Sequence, residues 1–366
     1  MHTAAPGLSE AFRLQAGVCE AMGSAFHARL GRLAADDLDA GGPIAEVMGA
    51  WRDAPARRAL EDAAPLRLLG AIQDLSLSGE APSVTAQFPT PRAPGDAEAA
   101  WGALLALFPA VAPRLREFVG HEPQTNEVMR SACLLPGFIA IARATGLPLR
   151  LIELGASAGL NQFWDRFAYD YGERLHWGDA ASGVRLTPQL RGARPRIDGE
   201  VSIASRLACD RAPVDIRDPL ARRRLQAYVW PDQFERLERL DAAIAIALQG
   251  GVEVRPLDAR AFVVAEADPR PGVASVIFHS IFWQYLSLDD QASLSAAIHA
   301  AGARASDQAP LAWLRMEPRD SLTFAVLSLT LWPGGAERQL ATSHPHGAWI
   351  DFAEWTARAP SRWRAP

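Results

Sequence analysis

Apolar residues recur at helical spacing through the first third of the chain. Gly41-Gly42-Pro43 and the proline-rich stretch 79–95 interrupt this pattern, as turns and loops do. The spacing predicts three helices, over residues 8–35, 57–78 and 96–119. Because hardly any strand pattern occurs before them or between them, we predict a helical N-terminal cap domain over residues 1–119.

From residue 120 onward, short apolar runs alternate with helical patterns. The runs predict strands over residues 149–153, 201–207, 252–257, 274–278 and 311–316, and two further runs, 322–331 and 336–343, predict a terminal hairpin. One helical pattern ends near Ala144 and has Thr125 as its expected N-cap. Two further helical patterns cover 219–249 and 287–303, and Ser287 is the expected N-cap of the last one. Strands linked by helices predict an α/β fold with a mostly parallel sheet and an antiparallel terminal hairpin over 120–366, with an insertion at about 168–198.

Composition and charge indicate which classes of binding partner and which cellular compartment to expect for this protein. The chain has 366 residues, 49% of them hydrophobic and 22% charged, which is typical of a globular protein with two domains. Its net charge of −5 gives no general attraction to nucleic acid or to an anionic membrane. The three cysteines are far apart, and neither a signal peptide nor a membrane-spanning run is evident. We therefore expect a cytoplasmic protein that acts on a small molecule.

The most informative stretch is LRLIELGASAGLNQFWDRF, residues 149–167. Its start is the apolar run of a buried strand, and Gly155, Ser157 and Gly159 form a small-residue turn before a helical pattern resumes. A strand, a glycine turn and a helix together aim free backbone N–H groups at an anionic ligand group. The stretch therefore predicts a cofactor site with bare amides, although a turn that only packs a helix close to a sheet has the same residues.

GASAG is compatible with two chemistries. It matches the nucleophile elbow of α/β hydrolases, in which Ser157 would be the nucleophile and His344 or His346, with a downstream acid, would complete the site. It also has the small-residue spacing of a cofactor-binding turn. An elbow normally follows several strands, whereas this strand is the first that the sequence predicts. We therefore favour the cofactor site and keep the hydrolase as the alternative.

Five longer segments support a family resemblance: FRLQAGVCEAMGS, HEPQTNEVMRSA, LIELGASAGLNQFWDRFAYDYG, WPDQFERLERL and HSIFWQYL. From about residue 120 the chain resembles the class I S-adenosylmethionine-dependent methyltransferases, and over its whole length it resembles a bacterial family, domain of unknown function 2332. The resemblance implies a Rossmann-like sheet with S-adenosylmethionine across the carboxyl ends of its strands. It also implies methyl transfer to a small or anionic acceptor; a methyltransferase-like protein that binds without catalysis is a further alternative.

The resemblance assigns roles to individual residues. Asp210, with Asp215 as a rival, would bind the ribose, although it follows the turn at a greater distance than the pattern predicts. The full set of expected cofactor-binding residues is Asn126, Arg130, Glu153, Gly155, Ser157, Gly159, Asp210, Asp258 and Ala259. Of these, Asp258 and Ala259 would contact the adenine, and Asp258 could equally be a helix N-cap.

Three residues near strand ends are candidates for catalysis. His279 is the candidate general base because histidine is the residue type most often used for proton transfer at neutral pH, and a structural hydrogen bond is its alternative role. Tyr285 could stabilise a sulfonium cation with its aromatic face, and Glu317 is a weaker candidate at the next strand end. His344-Pro345-His346 lacks a Cys or acidic partner at ligand spacing, so we predict no metal site.

Overall fold

The computed structural model describes residues 6–172, 174–319 and 323–352. It divides the chain into two compact units, Met1–Thr125 with Arg217–Glu238, and Asn126–Ile216 with Arg239–Pro366. The predicted cap domain, residues 1–119, falls within the first unit. That unit also contains 217–238, which the sequence analysis had placed in the second domain.

The helices of the described residues are numbered in chain order. They are α1 (Pro6–Ala21), α2 (Ala25–Asp39), α3 (Ile44–Val47), α4 (Ala56–Glu61), α5 (Ala64–Ser78), α6 (Pro82–Thr85), α7 (Ala97–Val119), α8 (Arg130–Thr145), α9 (Pro219–Ala227), α10 (Phe234–Gly250), α11 (Ala259–Glu266) and α12 (Leu288–Gly302). Short 3-10 helices occupy Gly49–Trp51, Leu160–Arg166 and Trp283–Tyr285. No helix among the described residues has the length and apolar character that a membrane crossing requires.

The strands are numbered in the same way. They are β1 (Leu149–Leu154), β2 (Ala168–Asp170), β3 (His176–Trp177), β4 (Arg185–Leu186), β5 (Gln189–Gly192), β6 (Ile203–Asp210), β7 (Arg255–Pro256), β8 (Ala274–Ser280), β9 (Leu311–Pro318), β10 (Ala325–Trp332), β11 (Glu337–Ser343) and β12 (Trp349–Phe352).

The first unit packs α1 to α7 and α9 around an apolar core. Its long helix α7 begins at an N-cap, Asp96, whose side chain accepts a hydrogen bond from Ala99 N. The side chain of Asp74 on α5 binds Arg114 of α7 at 2.5 Å and Arg223 of α9 at 2.8 Å. Because Asp74 is almost fully buried, these ion pairs fix α9 in the helical unit. Segment 217–238 joins this unit through such non-local contacts, which hydrophobic periodicity does not reveal.

The second unit is built on one large, mostly parallel sheet with helices around it. Within the described residues its strand order is β5-β12-β11-β10-β9-β8-β1-β6-β7. The strands β7, β6, β1, β8 and β9 run parallel to one another, and β10 is antiparallel to β9. Strands β10 and β11 form the antiparallel hairpin that the sequence predicts. All six residues of β1 are buried, as expected for a central strand. The α/β class and the parallel sheet are therefore confirmed.

Several predicted boundaries are wrong. Residues 8–35 form two helices with a break at Gly23, and residues 57–78 form two helices with a break at Ala63. Gly23 and Ala63 both have positive φ, which ends the helical geometry. Helix α8 begins at Arg130, so Thr125 is not its N-cap. Pattern reasoning overran these ends because it follows apolar spacing and cannot detect a single residue that leaves helical geometry.

The segment at 168–198, which sequence reasoning left without order, contains four strands. β2, β3 and β4 form a small separate sheet. β5 pairs in parallel with β12 and so becomes an edge strand of the large sheet. The predicted strand 252–257 is reduced to two residues, β7, which pair with the end of β6.

Candidate functional site

The turn after β1 has three residues with positive φ at alternate positions. The φ angles are 63° at Gly155, 53° at Ser157 and 72° at Gly159. A Cβ atom at Gly155 would lie 2.2 Å from the ring of Phe282, and one at Gly159 would lie 2.8 Å from the side chains of two valines that precede β7. Glycine is therefore required at both ends of the turn by backbone conformation and by close packing. Ser157 adopts a conformation that is uncommon for a residue with a side chain.

The prediction of bare amides at this turn is wrong. Ser157 N donates a hydrogen bond to Asp210 Oδ2 at 2.8 Å, and Ala156 N donates to the carbonyl of Cys209 at 3.0 Å. Leu160 N donates to Asn126 Oδ1 at 2.9 Å. Protein oxygens thus occupy the amides that the sequence suggested for an anionic ligand. The reason is topological, because β6 lies beside β1 and brings Cys209 and Asp210 to its end.

Three polar side chains in the turn or next to it in sequence contain buried atoms without a hydrogen-bond partner among the described residues. These atoms are Glu153 Oε2, Ser157 Oγ and Gln162 Oε1. All three residues are more than nine-tenths buried. Buried polar atoms of folded proteins nearly always have a partner, so these three atoms are candidates to bind water or polar ligand groups.

Burial dominates the chemistry of Glu153, the last charged residue of β1. Burial raises the pKa of the Glu153 carboxyl, a hydrogen bond from Gln162 lowers it, and the nearby Asp210 charge raises it; together they shift this pKa from 4.5 to about 8. The side chain is therefore largely a neutral carboxylic acid at pH 7. A protonated carboxyl offers a hydrogen-bond donor here, whereas an ionised one would offer only acceptors.

The structure separates the two candidates for the ribose-binding acid. Asp210 is the last residue of β6, and its carboxylate joins Ser157 N to Ala212 N, with Oδ1 at 2.9 Å from the latter. Asp215 is exposed, and the adjacent Val214 N donates to the carbonyl of Ser157 at 3.1 Å. Both acids therefore lie close to the glycine turn in the chain, and Asp210 bonds a turn amide through its carboxylate.

Asp258 has the structural role that the sequence left open. Its Oδ1 accepts hydrogen bonds from Arg260 N at 2.9 Å and Ala261 N at 3.2 Å, so it is the N-cap of α11. The side chain is exposed, and Ala259 is buried beside it. N-capping and ligand binding are compatible, because a carboxylate has two oxygens.

Asn126 and Arg130 both lie close to the site but contact protein groups. Asn126 accepts the bond from the turn described above. Arg130 donates through Nε to the carbonyl of Pro345 at 3.0 Å and through Nη1 to the carbonyl of Ser280 at 3.3 Å. It thereby ties the end of β8 to the loop between β11 and β12, and it is nine-tenths buried. The contact with a cofactor carboxylate stays a prediction.

His279 is placed as a structural residue in this arrangement. Its side chain is fully buried, Nδ1 lies 2.6 Å from Glu317 Oε1, and Nε2 accepts the indole N–H of Trp313 at 3.0 Å. An indole N–H only donates, so Nε2 has no proton and the neutral Nδ1–H tautomer points at Glu317. Both ring nitrogens are thus in use, and His279 cannot take a proton from an acceptor without rearrangement.

Glu317 orders the segment that follows β8. Its carboxylate accepts Phe282 N at 3.1 Å and Trp283 N at 3.2 Å, in addition to His279 Nδ1. Tyr285, at the end of this segment, is 69% exposed. Glu317 therefore positions main chain next to the glycine turn, while Tyr285 faces solvent.

Sequence reasoning missed two residues of this site, Phe282 and Trp313. Phe282 is part of HSIFWQYL, and its place after a strand was known, but its contact with Gly155 requires β8 to lie beside β1. Trp313 lies within β9 and reads as an ordinary core residue. Its hydrogen bond to His279 follows from the pairing of β8 with β9, which no local pattern specifies.

The geometry provides no partner for a nucleophilic Ser157. Its Oγ has no hydrogen-bond partner among the described residues, and His344 Nδ1 instead accepts the backbone N–H of His346 at 3.1 Å. Within the described part of the chain, no three His, Cys, Asp or Glu side chains are placed to hold a metal ion.

The comparisons with known proteins identify a family and no activity. A model of a family described as an uncharacterised protein conserved in bacteria, DUF2332, matches residues 9–352. The match covers most of the chain, so the protein belongs to this family. Neither the curated proteins nor the solved structures that were compared give a match.

Proposed function

We propose that the carboxyl ends of β1, β6 and β7 bind S-adenosylmethionine and that the protein transfers a methyl group to a small or anionic acceptor. One observation supports this most strongly. Asp210 lies 53 residues after Ser157 in sequence, yet its carboxylate is 2.8 Å from Ser157 N. An acidic residue after the second parallel strand and a glycine turn after the first are thus assembled at one place.

The order of the strands also favours a cofactor site at this edge. From β1 the sheet continues through β6 and β7 on one side and through β8 and β9 on the other. The gap between β1 and β8 is therefore a topological switch point, where open α/β sheets bind ligands outside the carboxyl ends of their strands. The methyltransferase resemblance of the sequence predicts the same place.

The residues present suit the polar groups of such a cofactor. Glu153 and Ser157 supply buried polar atoms without partners, next to the turn. The exposed Asp258 lies at the end of the next strand and has a second carboxylate oxygen in addition to the one that caps α11. When bound, S-adenosylmethionine supplies an electrophilic methyl group. In this assignment Ser157 and Asp210 hold the methionine and ribose parts, and Asp258 holds the adenine.

We assign no general base. His279 uses both ring nitrogens in the protein interior, so the chain contributes mainly by holding cofactor and acceptor in line. A proton acceptor is needed only when the nucleophile arrives protonated. An acceptor that is already ionised at neutral pH fits this site best.

Calorimetric titration with S-adenosylhomocysteine, the product form of the cofactor, tests the assignment. We expect micromolar binding to the wild type and a loss of about tenfold or more in Asp210→Asn, because a hydrogen bond to a charged group is removed. Asp307→Asn is the matched control, with the same substitution at an exposed position in the loop before β9, and should bind like the wild type. Equal affinity in all three proteins would contradict the role of Asp210.

A second candidate, a methyltransferase-like protein without a cofactor, is favoured by the occupied turn amides. Asp210 and Asn126 satisfy amides that a ligand would otherwise use. In this case the titration gives no heat with the wild type or with any variant of the turn.

A further inference from the structure

We propose that the segment 281–285 is a gate over the cofactor turn, with Phe282 as the plug that must leave before a ligand can bind. This inference rests on the proposed function, because it concerns access to the same site. The Phe282 ring packs directly on Gly155, where an added Cβ would be 2.2 Å from ring atom Cδ2. The ring therefore fills the space that the absence of a side chain at Gly155 would otherwise open to a ligand.

The backbone next to the plug is strained. Ile281 has a φ of 51°, although it is β-branched and such residues rarely adopt positive φ. Its N–H bonds the carbonyl of Met316 at 2.9 Å, so the conformation is fixed by the end of β9. Strain of this kind persists only where surrounding contacts impose it, and it is typical of switch regions and ligand clamps. Release of the segment would relieve it.

A small set of polar contacts holds the segment closed. Glu317 accepts the amides of Phe282 and Trp283, and Gln291 Nε2 donates to the carbonyls of Trp283 at 3.1 Å and Leu286 at 3.2 Å. Phe282 and Trp283 are only partly buried, and Tyr285 is exposed. Trp283 also stacks on the His279 ring, with the ring centroids 5.3 Å apart. In the proposed opening the segment breaks these polar and ring contacts and swings outward, while β8 and β9 stay paired.

A closed gate lowers the apparent affinity for any ligand of the turn. Binding competes with Phe282, so the measured affinity is the intrinsic one multiplied by the fraction of molecules that are open. Removing the ring should raise this fraction and leaves Asp210 and all residues of the turn unsubstituted. We therefore expect Phe282→Ala to bind S-adenosylhomocysteine about tenfold more tightly than the wild type.

Two measurements test the gate, and only one needs a ligand. Calorimetry compares the wild type with Phe282→Ala and with Leu288→Ala, a control that removes an 81% exposed apolar side chain just beyond the segment. Tighter binding in Phe282→Ala alone supports the gate. Detectable binding with equal affinity in all three proteins overturns the gate and leaves the cofactor site intact.

Hydrogen exchange of the unliganded wild type provides the second measurement. The amides of Phe282 and Trp283 should exchange much faster than those of Ile277 and Phe278 in β8, and faster still in Glu317→Gln. Exchange of all four only on global unfolding overturns the gate. If no variant gives heat with S-adenosylhomocysteine, the proposed function fails, and the exchange rates alone then support or overturn an opening segment.

Discussion

The buried carboxyl of Glu153 should make the stability of the protein fall as pH rises. Its pKa is 4.5 in an ordinary environment and about 8 in the folded protein. Between these values the folded state keeps a proton that the unfolded state releases, so each step upward in pH favours unfolding. The stabilisation is complete below the unfolded pKa and is lost progressively up to the folded one. For these two pKa values the loss between pH 6 and pH 9 is about 3 kcal/mol.

The variant Glu153→Gln isolates this effect, because it keeps the shape of the side chain and removes its titration. We expect the free energy of unfolding of the wild type, measured by urea denaturation, to fall relative to that of the variant by the amount given above between pH 6 and pH 9. Glu122→Gln, at an exposed position, is the control and should follow the wild type. Parallel curves for wild type and Glu153→Gln would refute a raised pKa at Glu153.

Four other substitutions, one of them a control, test contacts inside the first unit or inside the second. Asp96→Ala should lower the free energy of unfolding of the first unit by about 1 kcal/mol, measured by thermal denaturation, because α7 loses its N-cap. Asp74→Ala should cost about 3 kcal/mol, since two arginines lose a buried partner, whereas Asp36→Ala, in an exposed pair, should cost less than about 1 kcal/mol. Trp313→Phe should destabilise the second unit by about 1 to 2 kcal/mol in urea, because the buried His279 Nε2 loses its donor; no change would contradict that hydrogen bond.

Local signals predicted the parts of the fold that depend on few neighbours. Leu149, Leu151 and Ile152 are apolar because β1 is buried on both faces, and the run appears as a strand in the sequence for that reason. Ser287 was expected to cap the helix that begins at Leu288, and its hydroxyl does accept the N–H of Asp290 at 3.1 Å. In both cases the residues that determine the structure lie within one strand or one turn of each other.

Contacts between distant segments were beyond such signals. Segment 217–238 belongs to the helical unit because Arg223 binds Asp74, a pair separated by 149 residues. The strand β5 reaches the large sheet only through its pairing with β12, near the other end of the described chain. Periodicity records which side of an element is buried, but it does not record which element covers it.

The glycine turn shows the same limit of sequence reasoning at a candidate functional site: its own residues are evident in the sequence, but its neighbours in the fold are not. One sheet order places both Asp210 and Phe282 on the turn, yet the two contacts differ in what they allow. Each carboxylate oxygen of Asp210 has two lone pairs, so Asp210 can accept ligand hydroxyls while it retains its bonds to backbone amides. The Phe282 ring has no such capacity, because it fills space and must move before another group can enter. In the proposed function, cofactor binding at this edge of the sheet therefore requires both the residues of the motif and a movement of Phe282.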